Sequence, residues 1–144
     1  MSMTDAMEGK ILSLYFENAN AANIGDATGL RASSTAGSVY ASLHTSDPGE
    51  TGDQTTNETA YTNYARVAIG RSTSAWSVAA GVADNDAAVT FPAGGASGST
   101  ITHVALGSAT SGAGNRDMNG TASLAVSSGI TPEFAIGALD ISAS

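Results

Sequence analysis

The stretch YASLHTSDPGETGDQTTNETAYTNYARVAIGR, Tyr40 to Arg71, decides how this chain is read. Both of its ends alternate apolar and polar side chains. In SVYASLHT, Val39, Ala41 and Leu43 point one way and Tyr40, Ser42 and His44 the other. In YARVAIGRS, Val67 and Ile69 share a face with Arg66 opposite. Successive side chains of an extended chain point to opposite faces, so a period of two predicts strands. Between the two runs lie Asp47, Glu50, Asp53 and Glu58 together with Pro48, Gly49 and Gly52, and no base. That composition suits turns. The segment therefore reads as strand, long connection, strand.

The same period continues towards the C-terminus. AAVTFP brings Val89 and Phe91 together, and Pro92 ends the run. STITHVALG is apolar on both faces, as a central strand is. TASLAVSS turns Ala122, Leu124 and Val126 inward, and PEFAIGALDISA turns Leu139 and Ile141 to the core. AGGASGS, SATSGAGNRDMNG and SSGITP separate these runs as turn clusters. DND at Asp84 to Asp86 reads as an Asx-type turn before the strand that holds Val89. Short strands joined by turns predict a mainly β, antiparallel sandwich, jelly-roll-like, rather than βαβ units.

One segment has helical spacing. In TDAMEGKILSLYFENA, Thr4 to Ala19, Met7, Ile11, Leu14 and Tyr15 form an apolar face. Asp5 and Glu8 match a capping box beside the positive end of the helix dipole. Gly9 costs about 1 kcal/mol relative to Ala. A helix this short is marginal alone, so its face must dock on its own sheet or on a neighbouring subunit. Residues 20–37 are small and polar and read as a loop or extended arm. The expected organisation is a helix and arm over residues 1–37 and a sandwich over residues 38–144.

Composition narrows the function. The chain has 144 residues, which is one domain's worth, with 42% hydrophobic and only 12% charged side chains. The formal net charge is −8, and five Lys plus Arg are too few to neutralise a phosphate backbone, which argues against nucleic acid. Cysteine is absent, which excludes disulfides and thiolate metal sites. No run of about 18 apolar residues predicts a membrane span. The start MSMTDAMEGK is unlike a secretion signal, so the protein is expected to act where it folds or to leave its cell by lysis.

Each residue that could carry chemistry has a plainer reading beside it. The four carboxylates of the Tyr40–Arg71 stretch could bind calcium, which takes six to eight oxygens. They lack the calcium-loop spacing, and SDPGETGDQ forms two turns by its residue types. His44, near Asp47, could serve as a general base, and His44 with His103 could begin a metal site. No G-x-S-x-G elbow accompanies them. GSATSGAGNRDMNG is glycine-rich, yet an alternating strand follows where a phosphate cradle needs a helix N-terminus. Trp76, Tyr40, Tyr61 and Tyr64 suit core packing or a subunit contact better than stacking on sugars or bases. Arg66 and Arg71 are candidates to pair with the acidic loop, within one protomer or across an interface.

The ordered series MEGKILSLYF, VYASLHTSDPGETG, TNETAYTNYARVAIGRS, NDAAVTFPA, ITHVALGSATSGAGN and GITPEFAIGALDIS resembles a family of small virion proteins of tailed bacteriophages. The family includes tail fibre proteins, and similar sequences occur among head decoration proteins. The resemblance runs from about Glu8 to Ile141, and LHTSDPG, NYARVA and FPA followed by ITHVALGSATSG are its most specific pieces. It implies a structural role without an active site, metal or cofactor. The polar stretch ANAANIGDATGLRASSTAG departs from it by being longer than the expected link.

The resulting expectation is a virion component, assembled in the bacterial host cytoplasm, that self-associates as a trimer and decorates the capsid exterior as a cement protein. Its expected partners are further copies of itself and the major capsid protein or tail proteins, with neither nucleic acid nor membrane. Met7, Ile11, Leu14, Tyr15, Arg31, Arg66, Arg71 and Trp76 are the candidate interface residues. The alternatives are a tail fibre, tail tip or baseplate component, a metal-dependent or glycan-processing jelly-roll enzyme, and a calcium-binding module.

Overall fold

The computed structural model describes residues 3–22, 24, 29 and 31–143. The chain is mainly β, with antiparallel sheets of the expected sandwich-like class and one short N-terminal helix. The elements in chain order are α1 (Asp5–Leu12), a π-helical turn (Ser13–Glu17), β1 (Ser38–His44), β2 (Val67–Gly70), β3 (Trp76–Ala79), β4 (Val82–Asn85), β5 (Val89–Thr90), β6 (Ser99–Gly107), β7 (Arg116–Val126), β8 (Glu133–Phe134) and β9 (Asp140–Ser142). They divide into two compact units, each assembled from separated stretches of sequence.

One unit comprises Met1–Ser38, Gly70–Val89 and Phe134–Ser144. Its sheet has the order β3-β4-β9, antiparallel throughout. The helix is shorter than its sequence pattern predicts. Thr4 rather than Asp5 is the N-cap, and no side-chain cap bond forms. After Leu12 the backbone widens into the π turn, which ends at Asn18 in the left-handed region (φ 56°). Leu12 and Phe16 are the buried side chains, while Met7, Ile11, Leu14 and Tyr15 are half-buried. The reason is Trp76. It is fully buried on β3, and the Phe16 ring lies 4.4 Å from it at a 48° tilt. Two apolar stripes overlap on this helix, and the one that meets the indole goes inside.

Arg71 secures the helix end. Its Nε donates to the carbonyl of Tyr15 at 2.5 Å and its Nη2 to that of Leu14 at 2.6 Å. The last turn of a helix leaves such carbonyls without an internal donor. The Asn18 side chain exchanges two hydrogen bonds with the backbone of Ser33, and Ala32 N–H donates to Asn20 Oδ1. The described part of the 20–37 segment thus folds back onto the helix end. Residues 23, 25–28 and 30 of the predicted arm lie outside the described residues.

The β3–β4 hairpin was not expected from the sequence. Ala79 pairs with Val82, so the loop is Ala80-Gly81, with φ of 50° and 77°. Positive φ at both central residues is the type I′ geometry that suits a two-residue hairpin. The DND reading needs correction, because Asp84 and Asn85 belong to β4. Asn85 is fully buried and donates through Nδ2 to the carbonyls of Ala87 and Ala135, while its Oδ1 accepts from Leu139 N–H.

The other unit comprises Val39–Ile69 and Thr90–Glu133. Its sheet has the order β2-β1-β6-β7, and β6 is internal, as its two-sided pattern predicts. Val39, Ala41 and Leu43 of β1 are buried as expected, but so are Ser42 and His44 on the opposite side. On β7, Val126 is buried and Ala122 and Leu124 are half-buried at the sheet edge. Arg116 to Gly120, read as part of a turn cluster, form the first half of β7. Its residue types account for this, since Asp117, Asn119 and Gly120 are typical of turns and leave no apolar alternation.

Ala80 is an L-residue in a conformation that favours Gly or Asn. Ala80→Asn is expected to raise stability by about 1 kcal/mol. An unchanged or lower urea midpoint, followed by the fluorescence of the single tryptophan, would contradict the hairpin geometry.

Candidate functional site

His44, Asp47, Asp53, Glu58, Tyr64 and Arg66 of the Tyr40–Arg71 stretch are held in a set of hydrogen bonds within the β2-β1-β6-β7 unit. Arg66 is its centre. Its Nε and Nη2 donate to the two carboxylate oxygens of Glu58 at 2.6 and 2.7 Å. Its Nη1 donates to the carbonyl of Ala109 at 3.0 Å and its Nη2 also to that of Gly112 at 2.9 Å. A planar guanidinium suits this double grip on a carboxylate. The hydrogen bonds to Glu58 lead the causes that raise the Arg66 pKa further and keep it charged. Tyr64 joins the pair. Its hydroxyl donates to Glu58 Oε1 at 2.8 Å and accepts from Leu43 N–H at 3.1 Å. Burial pushes the Tyr64 hydroxyl far above its usual range, so it remains a donor. An open pocket of about 240 Å³ lies between Glu58, Tyr64, Arg66 and Thr110 to Gly112.

The acidic loop is held from its other end by Arg116, which donates to the carbonyls of Gly49, Thr51 and Asp53. Gln54, also fully buried, donates through Nε2 to Tyr40 O and accepts at Oε1 from Ala109 N–H. Gly107 and Gly114 make room for it, since a Cβ at either would clash with the Gln54 side chain. The sequence reading missed Gln54 and Arg116. The signal available for Gln54 was a neutral amide inside an acidic loop. For Arg116 it was a base inside a glycine-rich cluster.

The carboxylates have local tasks. Asp47 accepts from Gly49 N–H at 2.8 Å, closing an Asx turn. Asp53 accepts from the hydroxyl of Thr55 at 2.6 Å and from its N–H at 2.8 Å. These bonds hold the Asp53 carboxyl below its usual range. Among the described residues no three His, Cys, Asp or Glu side chains converge in a way that could hold a metal ion.

The two histidines do meet, directly opposite one another across β1 and β6. His44 Nδ1 lies 2.8 Å from the carbonyl of Thr56. A carbonyl only accepts, so Nδ1 carries the proton and Nε2 accepts from Ser42 Oγ at 2.9 Å. Hydroxyl, imidazole and orienting acceptor are arranged as in a nucleophile activated by a base. Yet Ser42 and His44 are both fully buried, so no substrate atom can approach the hydroxyl. The arrangement satisfies buried polar atoms and fastens Thr56 to β1. His103 is half-buried, with its Nδ1 2.9 Å from the hydroxyl of Thr102.

The candidate interface residues stand in different local settings. Met7, Ile11, Leu14 and Tyr15 lie half-buried along α1 and the π turn, and Arg31 is exposed. Arg66 pairs with the acidic loop inside the protomer, Arg71 holds the helix end, and Trp76 is fully buried.

A family model described as podophage GP4 fiber I protein gp80 matches residues 2–142 of the chain. No curated protein matches it.

Removing Arg66 leaves the Glu58 carboxylate without its counter-charge. Arg66→Met is expected to lower stability by about 2–4 kcal/mol in urea denaturation. The double variant Glu58→Gln/Arg66→Met should lose less than the sum of the two single changes. Additive losses would mean that the pair is not coupled.

Proposed function

The chain belongs to the podophage GP4 fiber I protein gp80 family, and from that membership we propose that it is a structural component of a phage tail fibre that works by clasping other proteins. The family match over residues 2–142 carries this reading. The local geometry supports it, because the polar side chains that resemble catalytic groups are bound to one another and closed to solvent. The partners in this reading are further copies of the chain, in a trimer, and neighbouring tail proteins. Met7, Ile11, Leu14 and Tyr15 supply the apolar contact, because the protomer leaves each of them partly exposed. Arg31 supplies an exposed cation. Assembly in the host cytoplasm suits a chain without cysteine.

Decoration of the head is the second reading. The net charge of −8 favours it, since an acidic surface is steered to a basic capsid exterior. Cryo-microscopy of particles carrying a tagged chain distinguishes the two. Density on the tail is expected, and density distributed over the capsid would replace the fibre reading with decoration.

Ile11→Asp places a charge in the proposed contact. Light scattering after size exclusion is expected to show a smaller species, with the thermal midpoint of the protomer nearly unchanged. An assembly of unaltered mass would remove the helix from the interface.

A further inference from the structure

Two features set His44 apart from an ordinary core histidine. It is fully buried, and it stands in a row of side chains that crosses the sheet: Glu58, His44, His103 and Thr121 oppose one another in register. Residues directly opposite in antiparallel strands share a face. The row ends at the attachment of the acidic loop. Thr45 N–H donates to Asn57 O, Thr59 N–H donates to Leu43 O, and the His44 ring donates to Thr56 O.

We propose that His44 is an acid-sensitive latch that holds residues 45–59 against β1 at neutral pH and releases them on acidification. With a neutral ring, Nδ1 donates to Thr56 O and Nε2 accepts from Ser42. A second proton at Nε2 turns that acceptor into a donor. Ser42 must then turn its hydroxyl proton to Ala105 O, at a longer 3.4 Å. The new charge would stand in a fully buried position. The groups that act on it are Glu58 from the loop, Arg66 preceding β2, Arg116 from β7 and His103 opposite on β6. Glu58 attracts it but is already gripped by Arg66 and Tyr64. Arg66 and Arg116 repel it. Moving the 56–59 segment away from β1 admits water to the ring and relieves the charge.

Burial is the first cause that lowers the His44 pKa from its ordinary 6.5. The Thr56 hydrogen bond and Glu58 oppose it, and Arg116 and Arg66 reinforce it. The opened state, whose histidine titrates at the ordinary value, therefore binds the proton more readily than the closed state. Closure is at full strength above pH 6.5 and weakens as pH falls from there towards the lowered pKa.

Hydrogen exchange of the whole chain tests the latch, with each rate divided by that of an unprotected peptide at the same pH. Protection of residues 45–59 is expected to fall by up to about tenfold between pH 7.5 and 5.5, the limit set by a ring that takes the proton at its ordinary 6.5 only in the opened state. Protection of β6 should hold. His44→Gln should abolish the pH dependence and keep protection at pH 7.5. Protection that is flat with pH in the unmodified chain, or a pH dependence that survives in His44→Gln, overturns the proposal. If His44→Gln is already open at pH 7.5, the His44 ring signal of the unmodified chain decides by NMR. A titration that moves together with the amides of 45–59 supports the latch, and one that leaves them in place overturns it.

Discussion

Arg66 donates four hydrogen bonds, and all of them end on segments that contribute little or no regular structure: two on Glu58, one on Ala109 O and one on Gly112 O. Ordering a residue costs about 1–2 kcal/mol of conformational entropy. The acidic and glycine-rich loops must offset that cost with few bulky side chains. A guanidinium is suited to this, because it carries five donors in a fixed plane. Arg116 repeats the device on three carbonyls of the acidic loop, and Arg71 on two carbonyls at the helix end. Three of the five bases in the chain thus bind backbone within the protomer. The acidic balance follows from 13 Asp and Glu against five Lys and Arg, and three of those five are engaged in contacts within the protomer.

How much was legible in the sequence depended on whether a local period survived folding. β1 and the second half of β7 keep their alternation and β6 its two-sided apolar run, and the antiparallel β class follows from them. Arg116 to Gly120 did not look like strand because Asp117, Asn119 and Gly120 are turn-type residues and leave no apolar period. The β3–β4 hairpin stayed hidden because its turn is Ala80-Gly81, where the usual signal is Asn-Gly. In the helix, apolar residues at 7, 11, 12, 14, 15 and 16 make two overlapping stripes. Helical spacing cannot choose between them. The choice came from Trp76, sixty residues away from Phe16 in sequence. At the candidate site, the acids and His44 were legible as residues of interest. Of their partners, Arg66 was legible as a candidate to pair with the acidic loop, while Gln54 and Arg116 were not, because they reach it through contacts that no local pattern encodes.

The Ser42–His44 geometry shows why residue type and distance do not by themselves make a catalyst. β1 is covered on both faces, so its polar side chains at alternate positions have no water to turn to. Each buried donor or acceptor left unpaired would cost about 1–3 kcal/mol. A serine two residues before a histidine lies on the same side of a strand, and their side chains can satisfy each other. The remaining ring nitrogen then needs an acceptor, and Thr56 O supplies it. The polar positions on the buried face of β1 thereby specify where the acidic loop attaches. That is a structural use of chemistry-bearing residues, and it suits a protein whose family is defined by phage fibres rather than by a reaction. It also makes the loop's anchorage depend on the protonation state of one ring, which an aliphatic side chain at position 44 could not do.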